Sequence, residues 1–183
     1  MHLEIIKNTI INQLNMDVIL VDVNDTEIGV EEKITVHKKG KLHRAFSIFI
    51  FNSNKELLLQ KRSMKKYHSA GLWSNTCCSH PQPNSNLKKE AEQRLKQEMG
   101  INCKLKKSFS FTYKIKFENG LIENEFDHVF IGEFNGEPKP NKDEVCDWKW
   151  ISLYELKKDI KKNPQNYTYW LKICLDKIIE KVK

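Results

Sequence analysis

Apolar residues recur along this chain at two periods, and the period sorts the chain into elements. Leu3, Ile6, Ile10 and Leu14 stand at helical spacing and predict a short amphipathic helix within residues 1–16. The apolar block from Val18 to Val23, stopped by Asn24-Asp25, predicts a strand and a turn. Phe46 to Phe51 is a continuous apolar run, the mark of a buried strand, and Asn52-Ser53-Asn54 turns it into a second strand at Leu57–Leu59. Leu87, Ala91, Leu95 and Met99 share one helix face, with Ser85 or Asn86 as the cap and Gly100 as the stop. Phe109, Phe111, Tyr113, Ile115 and Phe117 alternate with polar residues, so 108–118 reads as a half-buried strand. Asn119-Gly120 turns it back into 121–131. Val145 to Ile151 predicts another strand, and 153–162 and 167–181 predict helices separated by Asn163-Pro164. Residues 63–85 carry Gly71, Trp73, His80 and Pro81 but few apolar runs, which suits a long functional loop. The pattern is that of an α+β protein, a mixed or antiparallel sheet flanked by helices. It reads as a single domain over 17–183 behind an N-terminal helical extension over 1–16, with no internal repeat.

Composition narrows the class. With 183 residues and 39% hydrophobic content the chain can bury one core. No apolar run approaches the roughly 20 residues that span a bilayer. Residues 1–16 lack the apolar stretch and small-residue cleavage site of a secretion signal, so packing on the domain is expected and membrane insertion is not. The five cysteines, at 77, 78, 103, 146 and 174, are odd in number and contain no C-x-x-C pair. That argues against a disulfide framework and for the reducing cytoplasm. A net charge of +7 raises the question of nucleic acid. The lysines are spread over the whole chain, with small clusters at Lys65-Lys66, Lys106-Lys107 and Lys157-Lys158, and no arginine-rich stripe or known motif accompanies them. A solvated surface with no nucleic-acid partner is the simpler expectation, a few of its charges serving an anionic small substrate.

Several residue types at suggestive spacings carry candidate chemistry. In an extended segment Cys78 and His80 point to one side. A metal on the histidine would favour the thiolate of a cysteine whose ordinary pKa is about 8.5. Buried cysteines are usually inert, so this pair carries little by itself. Glu123 and Glu125 share a strand face that Asp127 continues. His37 and His43 flank a Lys38-Lys39-Gly40 segment read as a flexible loop, which lets both reach one cation. His37, His43, His80, Glu123 and Glu125 together make a mixed imidazole and carboxylate set suited to Mg²⁺, Mn²⁺ or Zn²⁺. The absence of cysteine from it argues against a structural zinc. Lys33, Arg62, Lys66 and Arg94 lie nearest these motifs and could grip phosphate. A diphosphate would also recruit Mg²⁺, and Glu98, one turn after Arg94, lies on the helix face that reaches it.

The segment Asn75-Thr76-Cys77-Cys78-Ser79-His80-Pro81, followed by Glu123-Asn124-Glu125, resembles the type I isopentenyl diphosphate isomerases, whose fold is of the Nudix type. The resemblance runs over nearly the whole chain and implies isomerisation of isopentenyl diphosphate to dimethylallyl diphosphate through a tertiary carbocation. It implies that Cys78 and Glu125 transfer protons, with Tyr113 assisting. It also implies that His37, His43, His80, Glu123 and Glu125 hold one divalent ion. Glu98 then meets a second ion, Mg²⁺, through the diphosphate, while Lys33, Arg62, Lys66 and Arg94 bind the diphosphate itself. Trp170 matches an aromatic facing the isoprenoid carbons, whereas Trp148 and Trp150 are expected in the core. The expected partner is a small allylic diphosphate, and the expected state a monomer or weak homodimer. Ser74 departs from a threonine frequent in that family, and the loop from His37 to His43 differs by a residue from some relatives.

Two points stay open in the sequence. A two-residue Asn119-Gly120 turn sets the acids beside Lys114 and Lys116, whereas a three-residue turn over 118–120 sets Tyr113 opposite Glu125, and one slip exchanges the faces. The alternative activity is a Nudix diphosphate hydrolase. Aligned on Gly100-Ile101, that motif would need two glutamates at Gln97-Glu98, Arg-Glu at Gln93-Arg94, and glutamate at Ser85. The helix frame survives while most of the hydrolytic carboxylates do not.

Overall fold

The computed structural model describes residues 16–182. The helix expected over 1–16 lies outside them except for Met16, whose carbonyl accepts the Lys33 amide at 2.9 Å. Nine strands follow: β1 (Asp17–Val21), β2 (Glu27–Glu32), β3 (His43–Phe51), β4 (Glu56–Arg62), β5 (Trp73–Ser74), β6 (Cys77–Ser79), β7 (Leu105–Lys116), β8 (Ile122–Glu133) and β9 (Val145–Ser152). The helices are α1 (Lys33–Lys39), α2 (Leu87–Met99), α3 (Leu153–Lys162) and α4 (Tyr169–Val182).

β3 is the axis of the sheet. Along one edge it pairs in parallel with β8 from His43↔Glu125 to Phe51↔Glu133. Its other edge takes β1 at His43, β6 at Phe46–Ile48 and β4 at Phe51. The rest of the pairing is antiparallel, with β7 on β8 and β9 on β4. Both faces of β3 are covered, which is why it is apolar on both sides from Phe46 to Phe51 apart from Ser47. Phe46, Ile48 and Ile50 pack with Ala91, Leu95 and Met99 of α2. Phe49 and Phe51 pack with Leu171, Leu175 and Ile178 of α4. On this second face the row turns polar toward the start of the strand, through Ser47 to His43, and there the site lies.

Several elements differ from the sequence reading. The expected loop at Lys38-Lys39-Gly40 is the end of α1 and its stop. Glu32 caps this helix, its carboxylate accepting the amides of Ile34 and Thr35 at 3.0 and 2.8 Å, and Gly40 ends it at φ 62°. β2 was not expected, and the long loop 63–85 contains the short strands β5 and β6. The β3–β4 hairpin touches only at Phe51↔Leu57, after which β4 leaves to pair with β9. Asn86 is the cap of α2, accepting the Lys89 amide at 3.1 Å. The β7–β8 turn is the three-residue one. Phe117 donates its amide to the Leu121 carbonyl at 2.8 Å, and Gly120 takes φ 84°, the left-handed position that closes such a loop. Tyr113 therefore stands opposite Glu125.

Gly100 ends α2 at φ 68°, and a Cβ there would lie 2.6 Å from the Lys139 carbonyl oxygen. Gly100→Ala is expected to destabilise the fold by roughly 1–3 kcal/mol, since neither the dihedral nor the backbone contact can relax cheaply. Urea unfolding measures it, and an unchanged midpoint would contradict the argument.

Candidate active site

The period-two alternation of β8 puts Glu123, Glu125 and Asp127 on one face. The parallel register sets His43 of β3 directly beside Glu125. α1 delivers buried His37 from its last turn, and His80 follows the end of β6. Single ligand atoms of His37, His43, His80 and Glu123 all lie within 4.8 Å of one another. His37 Nε2 is 3.1 Å from Glu123 Oε2, and the Nε2 atoms of His43 and His80 are 3.2 Å apart. Glu125 joins through Oε1, 3.0 Å from His80 Nε2 and 3.8 Å from His43 Nε2.

The donor chemistry fits a cation. His37 Nδ1 and His43 Nδ1 stand 2.6 and 2.9 Å from the carbonyl oxygens of Lys33 and Lys41. Carbonyls only accept, so in the neutral rings the proton sits on Nδ1 and each Nε2 presents a lone pair. Burial, then the Lys33 ammonium and the neighbouring His43, hold His80 well below the ordinary imidazole range. Lone pairs aimed at each other and at a carboxylate repel unless a positive charge sits between them, and one divalent ion serves all four groups. The backbone carbonyls meanwhile fix two of the rings by their far nitrogens.

Glu125 is held on its other oxygen, where the Tyr113 hydroxyl donates to Oε2 at 2.6 Å. Burial, followed by the charges of Glu123 and Asp127, pushes its carboxyl well above the ordinary range. Glu123 behaves oppositely. Burial would raise it, but the rings of His37, His43 and His68 packed against its oxygens outweigh burial and hold it well below the usual carboxylate value. Cys78 sits on β6 opposite Ser47, which directs it to the same face as Glu125, whereas Cys77 points into the α2 core and is fully buried. Burial pushes the Cys78 thiol up to about 12, against the pull of the Arg62 guanidinium.

Cys78, His80, Tyr113, Glu123, Glu125 and Trp170 line one cavity, and Lys33, Arg62, Lys66, Arg94 and Glu98 line it too. Of the residues given a catalytic, metal-holding or substrate-binding role in the sequence, His37 and His43 do not line it, and they stand against Glu123. Burial lowers Lys33 to about 8, against the attraction of Glu123. Arg94 donates from Nε to Glu98 Oε1 at 2.7 Å. The Trp170 indole donates to Ser74 Oγ at 3.0 Å and to Asn75 Oδ1 at 3.1 Å, and the Arg62 guanidinium lies 5.3 Å from its ring centre.

Sequence reasoning missed three parts. Glu144 accepts from Lys66 and, at 2.9 Å, from Arg94, joining two of the cavity's cations. It lies in the polar run Asn141-Lys142-Asp143-Glu144, which gives no local signal beyond that of a turn. Ser47 donates to Asp127 Oδ2 at 2.7 Å, a polar pair inside an apolar run. His68 reaches Glu123 Oε1 at 2.9 Å from the loop after β4, and the one available sign was a histidine in a segment already set apart.

The NUDIX domain model matches residues 41–171. The chain is 55% identical over 162 residues to isopentenyl-diphosphate Delta-isomerase 2 of Aromatoleum aromaticum, covering 88% of this chain and 86% of that protein. It is 57% identical to isomerase 1 of the same organism, covering 88% and 92%. Isomerase 2 of Photorhabdus laumondii subsp. laumondii is 53% identical, covering 84% and 87%. Among solved structures, a Deinococcus radiodurans protein superposes with a TM-score of 0.74 at 14% identity, over 88% of this chain and 98% of that one. At that identity the superposition speaks to fold alone. No helix among the described residues is long and apolar enough to cross a membrane.

Proposed function

Since the chain belongs to the isopentenyl-diphosphate Delta-isomerases of the NUDIX family, it converts isopentenyl diphosphate to dimethylallyl diphosphate, and we propose that Cys78 and Glu125 carry its two proton transfers. The observation that carries this reading is that both groups open onto the same cavity as Trp170 and four cationic side chains.

The reaction needs an acid and a base around a small apolar space. One group gives a proton to the terminal alkene carbon, and the π electrons form the new C–H bond. The tertiary cation left behind loses a proton to the other group from the adjacent methylene, the one between the cation and the oxygen-bearing carbon, and those C–H electrons form the new double bond. The burial that raises the Cys78 thiol and the Glu125 carboxyl suits groups that must give up or accept a proton away from water. Tyr113, bonded to Glu125, can pass a proton to it or steady it. Trp170 presents an aromatic wall able to stabilise positive charge by about 0.5–2 kcal/mol. Lys33, Arg62, Lys66 and Arg94 anchor the diphosphate, so that its alkene lies among these groups and water is excluded from the cation.

A divalent ion, Mn²⁺, Mg²⁺ or Zn²⁺, held by His37, His43, His80 and Glu123 with Glu125 beside them, supplies charge that orients Glu125 and favours its ionised form. Glu98, lining the same cavity, would meet a diphosphate-bound Mg²⁺. The hydrolase alternative has less support, because Ser85, Gln93 and Gln97 leave Glu98 as the lone carboxylate among those motif positions, and Arg94 binds it.

Incubation with isopentenyl diphosphate and Mg²⁺ in D₂O, followed by proton NMR, tests the reading. Dimethylallyl diphosphate carrying deuterium in a methyl group is expected. Release of phosphate or a monophosphate would replace this reading with hydrolysis.

A further inference from the structure

We propose that His68 is a positioning residue of the isomerase, holding the outer oxygen of Glu123 so that its inner oxygen faces the metal-binding imidazoles; the inference rests on the metal site described above. Glu123 has two oxygens and they meet different partners. Oε2 faces His37 and His43 at 3.1 and 3.7 Å. Oε1 lies 2.9 Å from His68 Nε2. A carboxylate can rotate about its last torsion and so exchange its two oxygens or turn away from an ion. A donor on the outer oxygen removes that freedom.

His68 differs from the ligand histidines in the direction of its hydrogen bonding. His37 and His43 face backbone carbonyls with Nδ1 and leave Nε2 bare toward the cluster. His68 faces Ser69 Oγ with Nδ1 at 3.3 Å, and a hydroxyl can donate as well as accept. Its Nε2 is therefore free to keep its proton and present it to Glu123. The ring is itself fixed. It stacks on Phe117 of the β7–β8 turn with centres 4.7 Å apart and 14° between planes, and meets the Trp170 ring edge-on at 6.0 Å. A side chain 8% exposed, stacked on Phe117 and 2.9 Å from a ligand carboxylate, is suited to hold that carboxylate in place.

His68 also lies in the loop after β4 that carries Lys66 and follows Arg62. Arg62 Nη2 donates to the His68 carbonyl at 3.2 Å, which joins the substrate loop to the metal ligand through one residue. The side chain works on Glu123 and the carbonyl on Arg62. Replacing the side chain should therefore change ion affinity and kcat while KM stays near its original value.

Two variants of the full chain separate this role from simple packing. His68→Phe keeps an aromatic ring on Phe117 but has no donor, whereas His68→Gln loses the stack but keeps an N–H. Affinity for Mn²⁺ or Zn²⁺ is measured by competition with a chromophoric chelator, beside circular dichroism and kcat and KM. Loss of ion affinity by about 10–100-fold in His68→Phe is expected, with kcat reduced, KM near the original and His68→Gln retaining most of the affinity. Unaltered affinity and kcat in His68→Phe, with the unsubstituted protein binding one ion, overturn the proposal alone. Equal losses in both variants overturn it in favour of packing. An unsubstituted protein that binds no ion overturns this proposal and the metal site together.

Discussion

Replacing Cys78 by alanine is expected to reduce turnover at least about 10³-fold with the fold intact, and Glu125→Gln to do the same. The two substitutions remove one proton-transfer group each and little else. Cys78 is half-buried in the cavity wall, and its β-strand pairing with Ser47 is made by the backbone, so alanine leaves β6 in place. Glutamine keeps the size of Glu125 and an oxygen for the Tyr113 hydroxyl, but it cannot exchange a proton at neutral pH. If the two groups act in one proton relay, the double variant loses scarcely more than either single one. Steady-state kinetics with circular dichroism decides the matter. Turnover within about 10-fold of the original in either single variant would remove that residue from the mechanism.

Exhaustive chelation is expected to abolish activity, and Mg²⁺ with Mn²⁺ or Zn²⁺ to restore it. The second expected effect is on stability. An ion at 100 times its dissociation constant stabilises the folded protein by about 2.7 kcal/mol, roughly 5–11 °C in Tm for a chain of this size. The buried lone pairs of His37, His43 and His80 and the Glu123 carboxylate explain why the folded state, with the four groups already gathered, is the form that binds. Scanning calorimetry with and without ion reads it directly. Full activity and an unchanged Tm after chelation would refute the site.

How much of this was written in the sequence depends on how local each cause is. α2 was legible because Leu87, Ala91, Leu95 and Met99 stripe one face and Gly100 ends it. α1 was not, since its seven residues hold few apolar side chains, and its cap is Glu32 rather than a serine, threonine, aspartate or asparagine. β2 has exposed or half-buried residues throughout, so no alternation marks it. The sequence left a two-residue Asn119-Gly120 turn and a three-residue turn over 118–120 both open, and the structure has the three-residue one, closed by Gly120. The Glu123 and Glu125 pair was visible as a period of two, and the Cys78 and His80 pair as a motif. Their meeting with His37 depends on a helix and on strand pairings between distant segments, which no local pattern contains. His68 and Glu144 act through partners far along the chain, which left them invisible until the loops were placed.

The parallel pairing of β3 with β8 has a kinetic consequence. His43 and Glu125 occupy the first rung of a ladder whose strands are separated by β4, the long loop that holds β5 and β6, α2 and β7. Closing so long a loop is an entropic cost that local contacts cannot offset early, which makes such pairings slow steps in folding. The ion's ligands come from both sides of that closure. Acquisition of metal during refolding should therefore wait for the sheet to zip, and a chain trapped before that point would carry helices and hairpins but no catalytic centre.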